Sequence, residues 1–183
     1  MTTATDFVLR VRDIARKPGE SREFSFQTSF GDRVGEGIAW VDGDAQVRVE
    51  GMLESVHEGI LATGRASVEA TGECSRCLNP LTLELEIDFG ELFAYDRSED
   101  FELFVIDESV DLEEVVRDAA VLALPFQPVC RPDCAGLNPE TGEKLAPGTQ
   151  WTSPERIDPR WAALQEFKIQ DHDPAPEAGD QKE

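Results

Sequence analysis

Four cysteines are the residues whose type and spacing could do chemistry in this chain, and the sequence contains no others. They form two close pairs, Cys74 with Cys77 in a C-x2-C pattern and Cys130 with Cys134 in a C-x3-C pattern. Two short thiol pairs separated by a long stretch of chain are typical of the two halves of a tetrahedral zinc site. Four thiolates leave no open position on the ion, so such a site would be structural and would tie the middle of the protein to its later part.

Two other interpretations of these cysteines remain open. Cys74 and Cys77 could act as a redox dithiol, with the Arg76 cation favouring the thiolate. A redox C-x-x-C usually opens a helix in a thioredoxin-like pattern, whereas this one lies between alternating strands. The cysteines could also be buried and inert without a metal, because free cysteine packs readily as a small hydrophobe.

The sequence contains no recognisable catalytic arrangement. His57 falls in an expected turn and His172 in a polar tail, so neither is placed to act as a base or a ligand. There is no Gly-rich phosphate loop, no H-E-x-x-H and no G-x-S-x-G. We therefore expect a protein that is not an enzyme and has no small-molecule substrate.

The charge of the chain is strongly negative and unevenly distributed. The formal net charge is −21, from 38 acidic and 17 basic residues, and residues 36–124 hold 22 of the acidic residues against five basic ones. Nucleic-acid affinity depends largely on Lys and Arg that neutralise phosphates, so this field opposes RNA and DNA binding. A basic protein partner suits the surface better. The alternative is that the acidity serves only solubility.

One basic stretch near the N-terminus is the candidate for direct contact with RNA. It combines cations with nearby aromatic residues, as single-strand binding surfaces do, although solvated Arg and Lys are also common on edge strands. The cations are Arg10, Arg12, Arg16, Lys17 and Arg22, and the aromatic residues are Phe7, Phe24 and Phe26.

The chain has no expected membrane span or export signal. No run of 18 apolar residues occurs, and Met1–Asp6 lacks a charged start followed by an apolar stretch. We therefore expect a cytoplasmic protein without a membrane contact, in which thiols spaced like these hold metal or do redox chemistry more often than they form disulfides.

Alternating hydrophobicity predicts β-structure from Ile38 to Phe93. Even-numbered residues from Ile60 to Ala70 share one face, and odd-numbered residues from Leu81 to Phe89 share one face of the next strand. The segment from Cys74 to Pro80 is then a reversal between two half-buried strands. Further strands are predicted at residues 7–11 and in the apolar stretch 101–106.

A helix is predicted from Asp111 to Leu124. Asp111 would cap the first turn, with Glu114 three residues later as in a capping box, and Pro125 would end the helix. Asp158-Pro159 predicts the start of a short C-terminal helix, and residues 171–183 form an acidic tail that we expect to be disordered. The predicted fold is α+β: a single domain over residues 1–170, mainly an antiparallel β-sheet with one packed helix.

Several motifs, taken together in their order, resemble the bacterial YceD family. The resemblance covers most of the chain and implies a role in the accumulation of large-subunit ribosomal RNA, and hence in ribosome biogenesis. The motifs lie at residues 72–78 (Gly-Glu-Cys-Ser-Arg-Cys-Leu), 111–114 (Asp-Leu-Glu-Glu), 122–125 (Leu-Ala-Leu-Pro), 130–137 (Cys-Arg-Pro-Asp-Cys-Ala-Gly-Leu) and 158–164 (Asp-Pro-Arg-Trp-Ala-Ala-Leu).

The chain departs from this family at one place. Many relatives carry a further C-x-x-C-G knuckle after the position of Leu137, where this chain has Asn138 and Thr141. If relatives bind zinc through that knuckle, half of the site is missing here. If they bind through the positions of Cys130 and Cys134, the site is complete.

Overall fold

The computed structural model describes residues 7–99, 101–146, 148–149, 152 and 160. The chain divides into a compact unit, Met1–Thr149, and a second unit, Gln150–Glu183. The elements below belong to the first unit. The predicted C-terminal helix after Asp158 and the predicted tail at 171–183 lie outside the described residues, and the domain boundary at residue 170 stays a prediction.

The fold class predicted from the sequence is confirmed, since antiparallel strands make up most of the structure and one helix packs on them. The main sheet follows the order β2–β4–β5–β6, with the short β3 beside the far end of β5, and β1 pairs with β7 in a separate ribbon. The strands are β1 Val8–Arg10, β2 Ser21–Thr28, β3 Ala39–Trp40, β4 Val47–Ser55, β5 Gly59–Glu73, β6 Pro80–Ala94 and β7 Ser109–Asp111, and the helix is α1 Glu113–Ala123.

The predicted division of β5 and β6 into two faces is also correct. Ile60 and Ala66 of β5 and Ile87 of β6 are buried, whereas their chain neighbours Arg65 and Glu86 are exposed. This follows from the strand geometry, in which successive side chains point to opposite sides. One face of the sheet therefore contributes to the core and the other is open to water.

The buried face of the sheet is covered by α1 and by the β1–β7 ribbon. Val115, Val116 and Ala120 form the buried stripe of α1, which packs beside β6. Phe7 at the start of the ribbon is fully buried and stacks on Phe30 at 5.7 Å between ring centroids. Burial of this apolar surface is the main source of stability for the unit.

The end of α1 follows the sequence closely, but its start differs from the predicted capping box, because Leu112 is the N-cap residue and makes no side-chain capping bond. The Asp111 carboxylate accepts a hydrogen bond from the Glu113 backbone N–H at 3.0 Å and so satisfies a free donor of the first turn. At the other end Leu124 is extended (ψ 127°), as expected for the residue before Pro125. The helix is two residues shorter at its start than predicted, because Asp111 still belongs to β7.

The strand predicted at residues 101–106 is wrong. Only single bridges occur there, between Ala94 and Phe104 and between Ile106 and Ser109. Asp107 and Glu108 both have positive φ, 49° and 57°, so the chain reverses tightly before β7 begins. This turn prevents the apolar stretch from continuing as a longer strand.

No helix within the described ranges is long and apolar enough to cross a membrane.

Candidate metal centre

The first cysteine pair lies in a tight reversal between β5 and β6. The Cys74 backbone N–H donates to the Asn79 carbonyl at 2.8 Å, and the Leu78 N–H donates to the Cys74 carbonyl at 2.9 Å. Leu78 takes a left-handed conformation (φ 58°) to close the turn. The reversal predicted from the sequence is present and holds Cys74 and Cys77 in a fixed relation.

The second pair reaches this reversal from the segment that follows α1. The Ser75 N–H donates to the Pro128 carbonyl at 2.8 Å, which attaches the incoming chain to the turn. The Arg76 guanidinium donates from Nη1 to the carbonyls of Cys134 at 3.0 Å and Pro132 at 3.3 Å. Arg76 therefore joins the two halves, a role that its position inside C-x-x-C did not reveal.

The four sulfur atoms come together at one point. All lie within 4.8 Å of one another, with Cys74 Sγ 3.9 Å from Cys134 Sγ and Cys77 Sγ 3.7 Å from Cys130 Sγ. Zn–S bonds of ~2.3 Å at tetrahedral angles place sulfurs ~3.8 Å apart, whereas a disulfide requires ~2.05 Å. All four cysteines are free thiols. The donor set therefore fits a closed four-thiolate ion site better than a pair of disulfides.

The site is largely enclosed by protein. Cys74, Cys77 and Cys134 are buried, and Leu81 and Leu137 pack against them, while Cys130 is exposed. A metal ion buried among thiolates and apolar side chains exchanges slowly between the site and the solvent. Among the described residues, Cys130 is the one ligand on an exposed side of the cluster, where a metal could enter and leave.

Backbone donors favour the thiolate of Cys74. Burial raises the pKa of this thiol, but hydrogen bonds to its sulfur from the backbone N–H groups of Cys130, Arg76 and Cys77, together with the Cys77 side chain, lower the pKa to about 6. N–H groups that point at a ligating sulfur are the usual second layer of a thiolate metal site.

Cys130 shows the opposite shift. Its pKa is raised to about 12. The largest cause is loss of water around the sulfur, and hydrogen bonds with the sulfurs of Cys134, Cys77 and Cys74 add to it. Without a cation, Cys130 therefore keeps its proton at neutral pH. A bound divalent ion would replace that proton, because only thiolates ligate zinc.

Asn138 and Thr141, the two positions where the family resemblance implied a further cysteine pair, form a turn held by polar side chains. Asn138 Oδ1 accepts from the backbone N–H groups of Glu140 at 2.9 Å and Thr141 at 3.4 Å, and Thr141 Oγ1 accepts from the Glu143 N–H at 3.3 Å. Side-chain oxygens thus shape a turn there. Asn138 and Thr141 are engaged with the backbone, and the sulfur cluster involves Cys130 and Cys134 instead.

The five cations of the candidate RNA surface lie in and beside the β1–β2 connection. Several of them contact other residues of the same chain. Arg22 bonds Asp13 at 2.8 Å and 2.9 Å, Arg12 pairs with Glu108 at 3.4 Å, and the Arg16 guanidinium lies 4.7 Å from the centre of the Tyr95 ring. Lys17 donates to the Asp13 carbonyl at 2.6 Å, and the Arg10 carbonyl accepts from Arg22. RNA contact through these residues stays a prediction.

The aromatic residues of that surface are not available for stacking on bases. Phe7 is fully buried, and Phe24 and Phe26 are half-buried on the inner face of β2. Phe7 and Phe26 contact each other edge to face at 5.9 Å. The expectation that these rings assist an RNA contact is therefore wrong, because alternation along β2 directs them into the core.

The open face of the main sheet is acidic. Glu69 of β5 lies directly opposite Glu84 of β6 in the ladder, and Arg65 bonds Asp88 at 2.9 Å. Successive side chains along each strand point to opposite faces, and this alternation identifies the residues of the open face. Its carboxylates are Glu23, Glu50, Glu54, Glu69, Glu73, Glu84, Glu86 and Asp88, and its cations are Arg48 and Arg65.

Comparisons with known proteins agree with the motif pattern. An uncharacterized protein of Mycobacterium bovis and one of Mycobacterium tuberculosis are each 40% identical over 173 residues, covering 90% of this chain and 82% of the relative. One of Mycobacterium leprae is 32% identical, covering 90% of this chain and 78% of the relative. No solved structure matches significantly. Residues 62–168 match the family described as "Large ribosomal RNA subunit accumulation protein YceD". The chain belongs to the YceD family.

Proposed function

We propose that this protein is a non-enzymatic, cytoplasmic ribosome-biogenesis factor that supports the accumulation of large-subunit ribosomal RNA. The family description names that process, and the matched region contains all four cysteines and α1. In this proposal the protein acts by binding a basic ribosomal protein or a pre-ribosomal particle. The charge of its surface then determines which partner it binds.

The observation that carries the proposal is the segregation of charge in the fold. The open sheet face holds eight carboxylates and two Arg side chains, and Glu69 and Glu84 are direct neighbours across the ladder. Like charges in directly opposite positions destabilise a sheet, so a face of this kind costs stability in the isolated protein. A basic partner would neutralise the excess charge and would associate rapidly by electrostatic steering.

The four cysteines act in this proposal as the ligands of one structural zinc ion. A four-thiolate zinc site has no free position for water or substrate, and it supplies folding energy without catalysing a reaction. Cys74 and Cys77 would hold it from the β5–β6 reversal, and Cys130 and Cys134 from the segment after α1. The ion would fix the position of that segment on the sheet.

Removal of the gene tests the proposed process. We expect a deletion strain to show a lower ratio of large-subunit to small-subunit ribosomal RNA, and the intact gene supplied in trans to restore it. Pull-down with untagged bait on a covalent support should recover ribosomal proteins or precursor particles. An unchanged ratio, together with a pull-down free of ribosomal components, would refute the proposal.

A second candidate function is thiol-disulfide exchange, which the lowered pKa of Cys74 favours. Its sulfur belongs to a fully buried residue, so a substrate disulfide would need the reversal to open first. Alkylation of metal-free protein distinguishes the candidates. Fast alkylation of Cys74, at a rate that changes with pH near the pKa of this thiol, supports redox chemistry. Slow alkylation at a rate that does not change with pH excludes it.

A further inference from the structure

A groove of about 640 Å³ runs between the outer edge of β6 and helix α1. We call it the β6–α1 groove. The five consecutive residues Asp88 to Leu92 of β6 line it on one side, and the α1 stripe of Glu114, Asp118 and Leu122 lines the other. Because alternate strand residues point to opposite faces, five in succession mean that the groove follows the edge of the strand.

The groove carries six carboxylates without a matching number of cations. No Lys or Arg is among its lining residues, and Asp88 alone of the six has an ion-pair partner among the described residues, Arg65. The nearby Arg117 of α1 pairs with Glu113 at 2.9 Å. The six carboxylates belong to Asp88, Glu91, Glu99, Glu102, Glu114 and Asp118.

Apolar side chains accompany these carboxylates. Leu122 is 87% exposed, although a leucine on a helix usually turns toward the core. Leu92, Phe101 and Leu103 are half-buried in the same lining. The groove differs from the open sheet face, where two Arg side chains compensate some of the carboxylates and Met52, 39% exposed, is the most exposed large apolar side chain. A ligand that contributes both cations and apolar groups would bind in the groove better than on the open face.

The edge of β6 along the groove has no strand beside it. β5 pairs with the other edge, and in the described part of the chain the outer edge has one bridge, from Ala94 to Phe104 beyond the end of the groove. Gly90, in the middle of the edge, has no side chain to cover the backbone. An exposed strand edge is a ready template for another extended segment.

We propose that the β6–α1 groove binds an extended basic segment of a partner protein, which adds a strand to β6 and alternates Lys or Arg with apolar residues. Its backbone pairs with the residues from Asp88 to Leu92, a length of ~17 Å. Its cations meet the unpaired carboxylates, and its apolar side chains cover Leu122 and Leu103. This deepens the proposed function, on which it rests for the ribosomal identity of the partner.

A synthetic peptide tests the groove directly. The probe is a labelled peptide of about seven alternating Lys and Val residues, enough to span the edge, and its binding to the full chain is followed by fluorescence anisotropy at low salt. We expect saturable binding that weakens with salt. A Glu/Val peptide, a single-stranded RNA oligonucleotide and a Lys/Val peptide with alternate backbone amides methylated should each bind at least about tenfold more weakly.

Two double variants locate the binding. Glu91→Lys with Asp118→Lys reverses two unpaired groove charges, and Glu84→Lys with Glu86→Lys makes the same charge change on the open sheet face. We expect about tenfold weaker peptide binding for the groove variant and less than about twofold for the control. Circular dichroism checks that both fold, and Glu91→Gln with Asp118→Asn gives a milder version of the groove change.

Equal weakening by the two variants, full affinity of the methylated peptide, or preference for RNA would each overturn the groove assignment. These outcomes do not depend on ribosomal RNA levels in cells. Conversely, an unchanged ribosomal RNA ratio in the deletion strain, together with a pull-down free of ribosomal components, would refute the proposed function even if the peptide still bound specifically in the groove. The two failures are therefore distinguishable.

Discussion

The sulfur of Cys74 lies 3.9 Å from that of Cys134, although 60 residues separate them in the chain. Cys74 is in the β5–β6 reversal, and Cys134 follows α1. The whole of β6, β7 and α1 lie between them in sequence. An ion at this point would close that long loop and join two parts of the fold that otherwise meet through backbone bonds and Arg76.

Replacement of one buried ligand should remove the metal and destabilise the fold. We expect Cys134→Ser to lose bound zinc and to lower the Tm by about 10 °C, because metal that binds the folded state alone adds its binding free energy to stability. Ser75→Ala changes an exposed side chain between the first two ligands and should retain both metal and Tm. Differential scanning calorimetry with metal analysis on the same samples makes the comparison, and equal Tm values for wild type and Cys134→Ser would contradict a structural ion.

Stability of the metal-free protein should depend on pH through two cysteines with opposite sign. The pKa of Cys74 is about 6 in the fold against an ordinary 9.0, so between these values the unfolded chain binds the extra proton and stability rises with pH. The pKa of Cys130 is about 12, so above its ordinary 9.0 the folded state keeps the proton and stability falls as pH rises toward 12.

Urea unfolding of chelator-treated protein across these pH ranges checks both signs. Cys74→Ser should flatten the rise between pH 6 and 9, and Cys130→Ser should flatten the fall above pH 9. The same slopes in wild type and variants would mean that the backbone N–H groups do not favour the Cys74 thiolate.

The sequence predicted those parts of the fold that depend on local periodicity. Alternation from Ile60 to Ala70 gave the correct faces of β5, and Asp111 and Pro125 marked the helix to within two residues. The same alternation is present in β2, where Phe24 and Phe26 point inward, but the nearby cations favoured an RNA-binding interpretation. The interpretation of these two rings was wrong because residue type was given more weight than the two-residue alternation along the strand.

The remaining features depend on contacts between distant residues. Spacing alone left open whether Cys130 and Cys134 or the region of Asn138 completes the metal site, because only the fold shows which segment meets the β5–β6 reversal. The β6–α1 groove joins Asp88 with Leu122, and no local pattern predicts that pairing. The predicted strand at residues 101–106, which is wrong, is followed by a turn in which both Asp107 and Glu108 are left-handed, and Glu108 is not a usual residue for that conformation.

Two leucines should respond very differently to truncation. Leu53 is fully buried on β4, so Leu53→Ala should lower the free energy of unfolding by roughly 3 kcal/mol through lost burial and a cavity. Leu122 is 87% exposed, so Leu122→Ala should change it by less than about 0.5 kcal/mol and should still weaken peptide binding in the groove. Urea titration measures both. A loss from Leu122→Ala as large as that from Leu53→Ala would show that Leu122 supports the core.

The opposed carboxylates of Glu69 and Glu84 should be a measurable cost to the sheet. Glu84→Lys turns the pair attractive, and we expect it to stabilise the protein by roughly 0.5 kcal/mol, an effect that shrinks as salt is added. Thr82→Lys, on the same strand and face, adds a cation opposite Thr71 and serves as control. Equal stabilisation by both would mean that net charge matters more than the specific pair.

The metal content of untagged protein, measured together with its reactive thiols, tests the four-cysteine ion site most directly. Native mass spectrometry should show one zinc ion per chain, and thiol titration should find the four cysteines protected until a chelator is added. Protein purified without chelator that carries no metal, with its thiols freely reactive or joined as disulfides, would contradict a structural zinc site at Cys74, Cys77, Cys130 and Cys134.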